Sequence, residues 1–291
     1  MNKILVPIDF ENQSLTALEQ SYNLANLILA EIILIYVHEQ SGIFAGMFSN
    51  EQKNEMLSKI DERLAELAGK ASLASGVPVS YRLEKGRIYT KIVEVAKEIK
   101  AQFIVMGTHS TDDEKTQEKH VGANTLRVIR SASCPVISLN SRHIFKGLRN
   151  ILLPLDLTKE SRQKATIGIE IANYYGAGIK VVSTLWSKND AEVMNRLYHQ
   201  GMQVNDFISS AGIECSFELI EGKPGDKTLV PTILDYADKQ GDIDLIIIIT
   251  QQEVAIVEYF VGSQESEFIR LSDIPVLSIV PKDLGITSVS R

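Results

Sequence analysis

Short runs rich in Ile, Val and Leu alternate along the chain with longer stretches in which apolar positions recur every three or four residues. The first pattern suits β-strands and the second amphipathic helices. In the first half, strands are expected near 3–8, 31–37, 78–84, 102–107 and 135–139, with helices near 12–28, 50–74, 88–99 and 121–131. In the second half, strands are expected near 149–155, 178–185, 214–220, 244–250 and 275–280. Runs such as Phe103-Ile104-Val105-Met106 are continuously apolar rather than alternating, as in strands buried on both faces of a parallel sheet. Right-handed crossovers then restrict the topology to a doubly wound sheet.

The pattern occurs twice. Ile4-Leu5-Val6-Pro7-Ile8-Asp9 is matched by Ile151-Leu152-Leu153-Pro154-Leu155-Asp156, with Ser14 and Ala25 at the offsets of Ser161 and Ala172. Val121-Gly122 through Cys134-Pro135-Val136-Ile137-Ser138-Leu139 is matched by Val261-Gly262 through Ile274-Pro275-Val276-Leu277-Ser278-Ile279. Such self-similarity marks a duplicated unit, with domains expected at 1–142 and 147–291. The connector between Asn140 and Arg149 carries Ser141, Arg142, His143 and Lys146 and lacks the Gly, Ser or Pro richness of a flexible tether. The two units are therefore expected to pack on each other.

Composition narrows the function classes. With 291 residues, 44% hydrophobic and 23% charged, the chain can bury a sizeable core. Its formal charge of -7, with Lys and Arg dispersed, offers no basic stripe, so nucleic acid is not an expected partner. Cys134 and Cys215 lie in different halves within apolar segments, which suits small buried hydrophobes rather than a disulfide framework or a zinc site. The apolar run after Lys3 is too brief for a signal peptide. The isoleucine run at 246–249 is far short of the ~20 residues that span a bilayer. A cytoplasmic protein without membrane contact is expected.

Ligands of open α/β sheets bind beyond the carboxyl ends of the strands, where the strand order reverses. In the first half that places Asp9 after the first strand, and Gly107-Thr108-His109-Ser110 after the fourth, leading to Val121-Gly122-Ala123-Asn124-Thr125. A glycine directly after a strand lets backbone approach a phosphate, and a helix start offers free N–H groups.

These residues resemble the universal stress protein family over essentially the whole chain, in two copies, including the closing Cys-Pro-Val-Ile strand. Its members carry an Asp ending the first strand and a Gly-x-x-Gly, nine residues, Gly-Ser/Thr phosphate pattern. The resemblance implies two Rossmann-like units of the adenine nucleotide alpha hydrolase-like type, each with five parallel strands in the order 3-2-1-4-5. It also implies ATP or AMP as ligand and no metal. Carried over, the first half offers Asp9, Val37, Gly107, Ser110, Gly122, Ala123 and Asn124, and the second Asp156, Gly262 and Ser263.

Both halves depart from the family pattern. In the first, Ser110 replaces the second glycine, eleven residues separate it from Gly122, Ala123 replaces the hydroxyl residue, and Asp112, Asp113 and Glu114 would repel a triphosphate. In the second, the spacing holds but Ile249 and Gln252 occupy both glycine positions, where an added Cβ crowds a phosphate. A weak nucleotide site, better preserved in the first half, is the expectation.

Other readings compete at several positions. Asp9 and Asp156 also suit helix N-caps. His38, His109 and His120 lack ligand spacing and read as loop or surface residues rather than a metal or acid/base cluster. The apolar stretch at 42–48 suits packing under the next helix, or a flap. Trp186 suits a cover for a strand end, or a plug in the second pocket. No Walker loop, Gly-x-Gly-x-x-Gly fingerprint, Gly-x-Ser-x-Gly elbow or His-Glu-x-x-His helix is present, and no catalytic residue is assigned.

The expectation is a tandem, non-catalytic stress-response module that binds and changes partners. Its halves should pair as a pseudo-dimer through their last strands, near Val136–Leu139 and Val276–Ile279, and two chains could pair further as a homodimer or meet another protein. The rivals are a slow ATPase or nucleotidyl transferase on the same scaffold, and a sensor of another small molecule.

Overall fold

The computed structural model describes residues 1–39, 49–108, 121–140, 147–155, 161–185, 191–223, 228–250 and 264–281. The first half runs β1 (Asn2–Pro7), α1 (Asn12–Leu27), β2 (Ala30–His38), α2 (Asn50–Ser75), β3 (Val79–Lys85), α3 (Ile88–Glu98), β4 (Phe103–Gly107), α4 (Ala123–Ser131) and β5 (Val136–Leu139). The second half repeats it as β6 (Asn150–Leu155), α5 (Ser161–Tyr175), β7 (Gly178–Leu185), α6 (Ala191–Ser210), β8 (Cys215–Glu221), α7 (Val230–Gln240), β9 (Ile243–Ile249), α8 (Gln264–Leu271) and β10 (Val276–Ile279). The apolar stretch at 42–48, Trp186, His109, His120 and the connector residues 141–146 lie outside the described residues.

The strands form one ten-stranded sheet in the order β3-β2-β1-β4-β5-β10-β9-β6-β7-β8. Each half therefore has the 3-2-1-4-5 order, and within a half every strand pair is parallel. The halves join where β10 runs antiparallel to β5, with Val276 opposite Ser138 and Ser278 opposite Val136. Side chains reinforce the join. The Ser138 hydroxyl donates to the Val276 carbonyl (3.2 Å), Asn140 Nδ2 donates to the Ser272 carbonyl (3.0 Å) and to Asp273 (3.2 Å), and Arg130 donates to Ser266 (3.2 Å). Pairing β5 with β10 covers two strand edges that each half alone would leave open.

Two apolar layers sandwich the sheet. Ala17, Leu64, Ala172 and Ile208 place α1, α2, α5 and α6 on one face. Ile92, Ile129, Ile233 and Phe268 place α3, α4, α7 and α8 on the other. Successive side chains of a strand point to opposite faces, so central strands need apolar residues throughout, and β4 and β9 are buried almost end to end. The outer strands β3 and β8 mix polar residues in, as edges do. Local signals set the helix ends. The Ser49 hydroxyl accepts from Gln52 N–H (3.2 Å) while Gln52 Oε1 accepts from Ser49 N–H (2.9 Å), a capping box that opens α2. Neither cysteine behaves as the fully buried hydrophobe expected from sequence. Both are thiols outside any disulfide and half-buried, Cys134 in the bend before β5 and Cys215 opening edge strand β8.

Candidate functional site

The crevice between β1 and β4 is opened by Pro7. The β1–β2 ladder runs from Asn2↔Ala30 to Pro7↔Ile35, whereas β1–β4 pairing stops at Leu5↔Ile104. Residues of a central parallel strand bond alternately to its two neighbours. Lys3 bonds toward β4, through Gln102 N–H (2.9 Å), and Ile8 N–H donates to Ile35 in β2 (2.9 Å). Pro7 thus faces β4 without an N–H to donate, and the ladder ends there. In the second half Pro154 holds the same place, and β6–β9 pairing stops at Leu152↔Ile246.

Asp9 stands exposed at this opening. It does not cap α1, whose N-cap is Glu11 with no side-chain capping bond. Instead its Oδ1 accepts from Glu11 N–H (3.0 Å), and its own N–H donates to the Ser14 hydroxyl (3.3 Å), an Asx-type turn that fixes the loop. Between them, Phe10 adopts φ 68°, unfavourable for a residue with a Cβ. Its ring is held against Tyr36 (centroids 5.7 Å apart) and under the Arg63 guanidinium (4.1 Å).

Gly107 ends β4, and packing alone gives a reason for glycine there. A Cβ there would lie 2.8 Å from Gln13 Cβ and 3.0 Å from Gln13 backbone atoms, so glycine is what lets the first turn of α1 close on β4. Thr108, 3% exposed, ties the strand end down. Its N–H donates to Leu139 (3.0 Å) and its carbonyl accepts from Gly122 N–H (2.8 Å). Gly122 is the N-cap of α4 and provides no side-chain cap, so the first turn, with Ala123 and Asn124, presents main-chain N–H groups at the dipole-positive helix end. α4 begins at Ala123 rather than at Val121. Val37, half-buried near the end of β2, packs with Ile88, Tyr89, Val121 and Leu126 against one apolar cluster. Asp9, Gly107, Gly122, Ala123, Asn124 and Val37 thus share one rim of the sheet. Ser110, Asp156, Gly262 and Ser263 lie outside the described residues.

Three residues that sequence reasoning passed over also reach this rim. Gly86, at φ 137°, follows β3 and donates to the His38 carbonyl at the end of β2 (3.1 Å), setting Arg87 beside that strand end. Arg87 donates to the Tyr89 hydroxyl (3.4 Å), and its guanidinium lies 5.9 Å from the ring centroid. Arg127, on the second turn of α4, lies 5.3 Å from the same ring. Hydrogen bonds from Arg87 and Thr90, then the charges of Arg87 and Arg127, hold the Tyr89 phenol below its ordinary pKa. A glycine following a predicted strand end was the one signal for Arg87.

The second half is built differently. Ile249 stands where Gly107 does, and its side chain packs on the α1/α5 face. Lys164, 6% exposed, sends its ammonium to the Pro154 carbonyl, whereas the first half has Ala17 at the matching offset. Thr250, fully buried, donates to the Ile279 carbonyl through both its N–H (2.9 Å) and its hydroxyl (3.2 Å). Among the described residues, no group of three or more His, Cys, Asp or Glu could hold a metal ion. Among them too, no helix is long and apolar enough to cross a membrane.

Fold and rim together define a duplicated, doubly wound α/β protein in which the ladder between the first and fourth strands of each half ends early, at the switch point. The family model for the universal stress protein family matches residues 1–139. The chain is 32% identical over 138 residues to universal stress protein MJ0531 of Methanocaldococcus jannaschii, a match covering 46% of this chain and 79% of that relative. It superposes on the crystal structure of a universal stress protein from Archaeoglobus fulgidus with a TM-score of 0.77 at 18% identity, covering 96% of this chain and 98% of the other. The chain belongs to the universal stress protein family, and the whole-length structural likeness carries the tandem fold.

Proposed function

We propose that the protein is a non-catalytic, nucleotide-responsive binding module of the cytoplasm. In this reading its domains, 1–142 and 147–291, form a built-in pseudo-dimer, and its first half holds an adenine nucleotide, ATP or AMP, weakly. The observation that carries this is the end of the β1–β4 ladder at Leu5↔Ile104, which leaves Asp9 and the first turn of α4 on one crevice. In this reading Asp9 meets the ribose or base beside Val37. The backbone of Gly107 and the N–H groups of the α4 first turn, with Gly122, Ala123, Asn124 and Ser110, meet the phosphates. Asp156, Gly262 and Ser263 are the degenerate counterparts. The halves respond as a unit because one sheet runs through both, and the outer surfaces remain for a second copy or another protein.

Calorimetric titration of nucleotide-stripped protein with ATP, ADP and AMP tests the reading. The expected result is a dissociation constant of about 100 µM, near 5.5 kcal/mol, weakened by Asp9→Ala. Absence of heat with all three nucleotides would overturn it. Phosphate release with magnesium, abolished by Asp9→Ala, would move the protein into the enzyme class instead.

A further inference from the structure

We propose that Arg87 and Arg127 form a receiving pair for the polyphosphate tail of a nucleotide, so that the first half prefers nucleoside di- and triphosphates to monophosphates. This rests on the nucleotide reading above and specifies which part of the ligand the site measures. The two cations come from elements far apart in sequence, yet α3 and α4 bring both guanidiniums onto one phenol, Tyr89. Among the described residues neither forms an ion pair with a carboxylate, and Glu39 acts on Arg87 only through space. Two like charges gathered at a strand-tip rim repel each other unless an anion joins them. Arginine forks suit phosphate oxygens, and Tyr89 gathers both forks, Arg87 through one nitrogen on its hydroxyl and Arg127 over its ring.

Location agrees with this chemistry. Arg87 follows the glycine bonded to the end of β2, next to Val37, and Arg127 lies one turn beyond Ala123, on the same side of α4. A tail bound at the start of α4 would reach Arg127 first and Arg87 next.

The second half supplies the contrast. Gly222 follows β8 and donates to the Leu185 carbonyl at the end of β7 (2.8 Å), as Gly86 does in the first half, which makes Lys223 the counterpart of Arg87. Lys223 is paired with Asp235 (2.7 Å). Glu267, five residues after Gly262 as Arg127 is five after Gly122, accepts from the Thr228 hydroxyl (2.7 Å). Among the described residues, one half thus carries two cations without a paired acid, and the other a neutralised lysine and an acid.

The test is titration of wild type, Arg87→Met and Arg127→Met with ATP, AMP and inorganic tripolyphosphate, with thermal melts to confirm folding. Arg87→Lys and Arg127→Lys are included should a methionine variant fail to fold. Each methionine substitution is expected to weaken ATP and tripolyphosphate at least about tenfold while AMP changes by less than about threefold. The lysine variants should lose less, since charge survives without the fork. Arginine-dependent tripolyphosphate binding without any nucleotide preference would support the pair and overturn the nucleotide reading. ATP binding that is equal in wild type and variants would overturn the pair and leave the nucleotide reading standing. No binding of any probe would overturn both.

Discussion

Replacing Gly107 with alanine separates two reasons for a glycine at a strand tip. If the glycine serves a phosphate, Gly107→Ala is harmless until ligand is added. If it serves the fold, the damage appears in the ligand-free protein. The geometry favours the second, because the new Cβ would meet Gln13 Cβ at 2.8 Å and the Gln13 backbone at 3.0 Å. Relief requires α1 to back away from β4, since backbone cannot rotate aside as a side-chain tip can. Overpacking of this kind costs about 1–3 kcal/mol, and the stiffer unfolded chain returns about 0.4–1 kcal/mol. A net loss of about 1–2 kcal/mol follows, or a fall in Tm of roughly 2–8 °C at about 2–4 °C per kcal/mol. Gly122→Ala is the control. Its Cβ would find nothing nearer than 3.5 Å at φ -58°, so a change within about 0.5 kcal/mol is expected. Urea unfolding followed by far-ultraviolet circular dichroism, without nucleotide, gives both numbers. Equal midpoints for Gly107→Ala and wild type would refute the packing account.

Other perturbations test other parts of the molecule. Asn140→Ala removes two hydrogen bonds across the β5–β10 join and should cost about 1–2 kcal/mol in the urea midpoint. Asp244, 7% exposed, accepts three bonds from Arg149, through the main-chain N–H (2.8 Å), Nε (3.1 Å) and a terminal nitrogen (3.0 Å). Asp244→Asn should therefore cost about 1.5–3 kcal/mol by the same measurement. Burial pushes the Cys215 thiol up to about 11, so in a Cys134→Ser background its alkylation rate should reach half its maximum near that pH. A plateau near pH 9 would contradict this. The folded state then holds a proton that the unfolded state has released, so stability falls as pH rises from about 9 toward 11.

The sheet was legible because burial on both faces leaves a strand no room for polar residues. Each of the ten expected strands lies within one or two residues of an observed one. The join through the last strands was legible only through the family resemblance, since each half alone has two open edges and nothing local chooses between them. Chemistry at the rim was read less well. Asp9 precedes a helix, which is also what a capping residue does, and only the positive φ of Phe10 shifts the cap to Glu11. For Gly107 the sequence carries no sign of its packing role, because the nearest neighbour of its missing Cβ is Gln13, whose approach depends on how α1 leans on β4. Arg127 gave no signal, and Arg87 only the glycine before it, because their meeting at Tyr89 is a product of α3 packing against α4.

The two halves differ where the sheet does not need them alike. The join and the two apolar layers require both copies of the strand and helix cores, and in those the repeat is retained, down to Pro7 and Pro154 at the two openings. At the crevices the packing is solved differently in each half, with Gly107 closing on Gln13 in the first. In the second half Ile249 adds apolar volume, Lys164 bonds to the Pro154 carbonyl, and Glu267 sits in the first turn of α8, where it stabilises the helix dipole and repels a phosphate. In the first half the equivalent turn is left uncapped, with Arg127 beyond it. An acid that stabilises a helix start and an uncapped start that receives an anion are alternative ways to satisfy the same N–H groups. The duplication lets one chain use both: the second half carries an acid in its helix start, and in the proposed reading the first half leaves its helix start to a ligand.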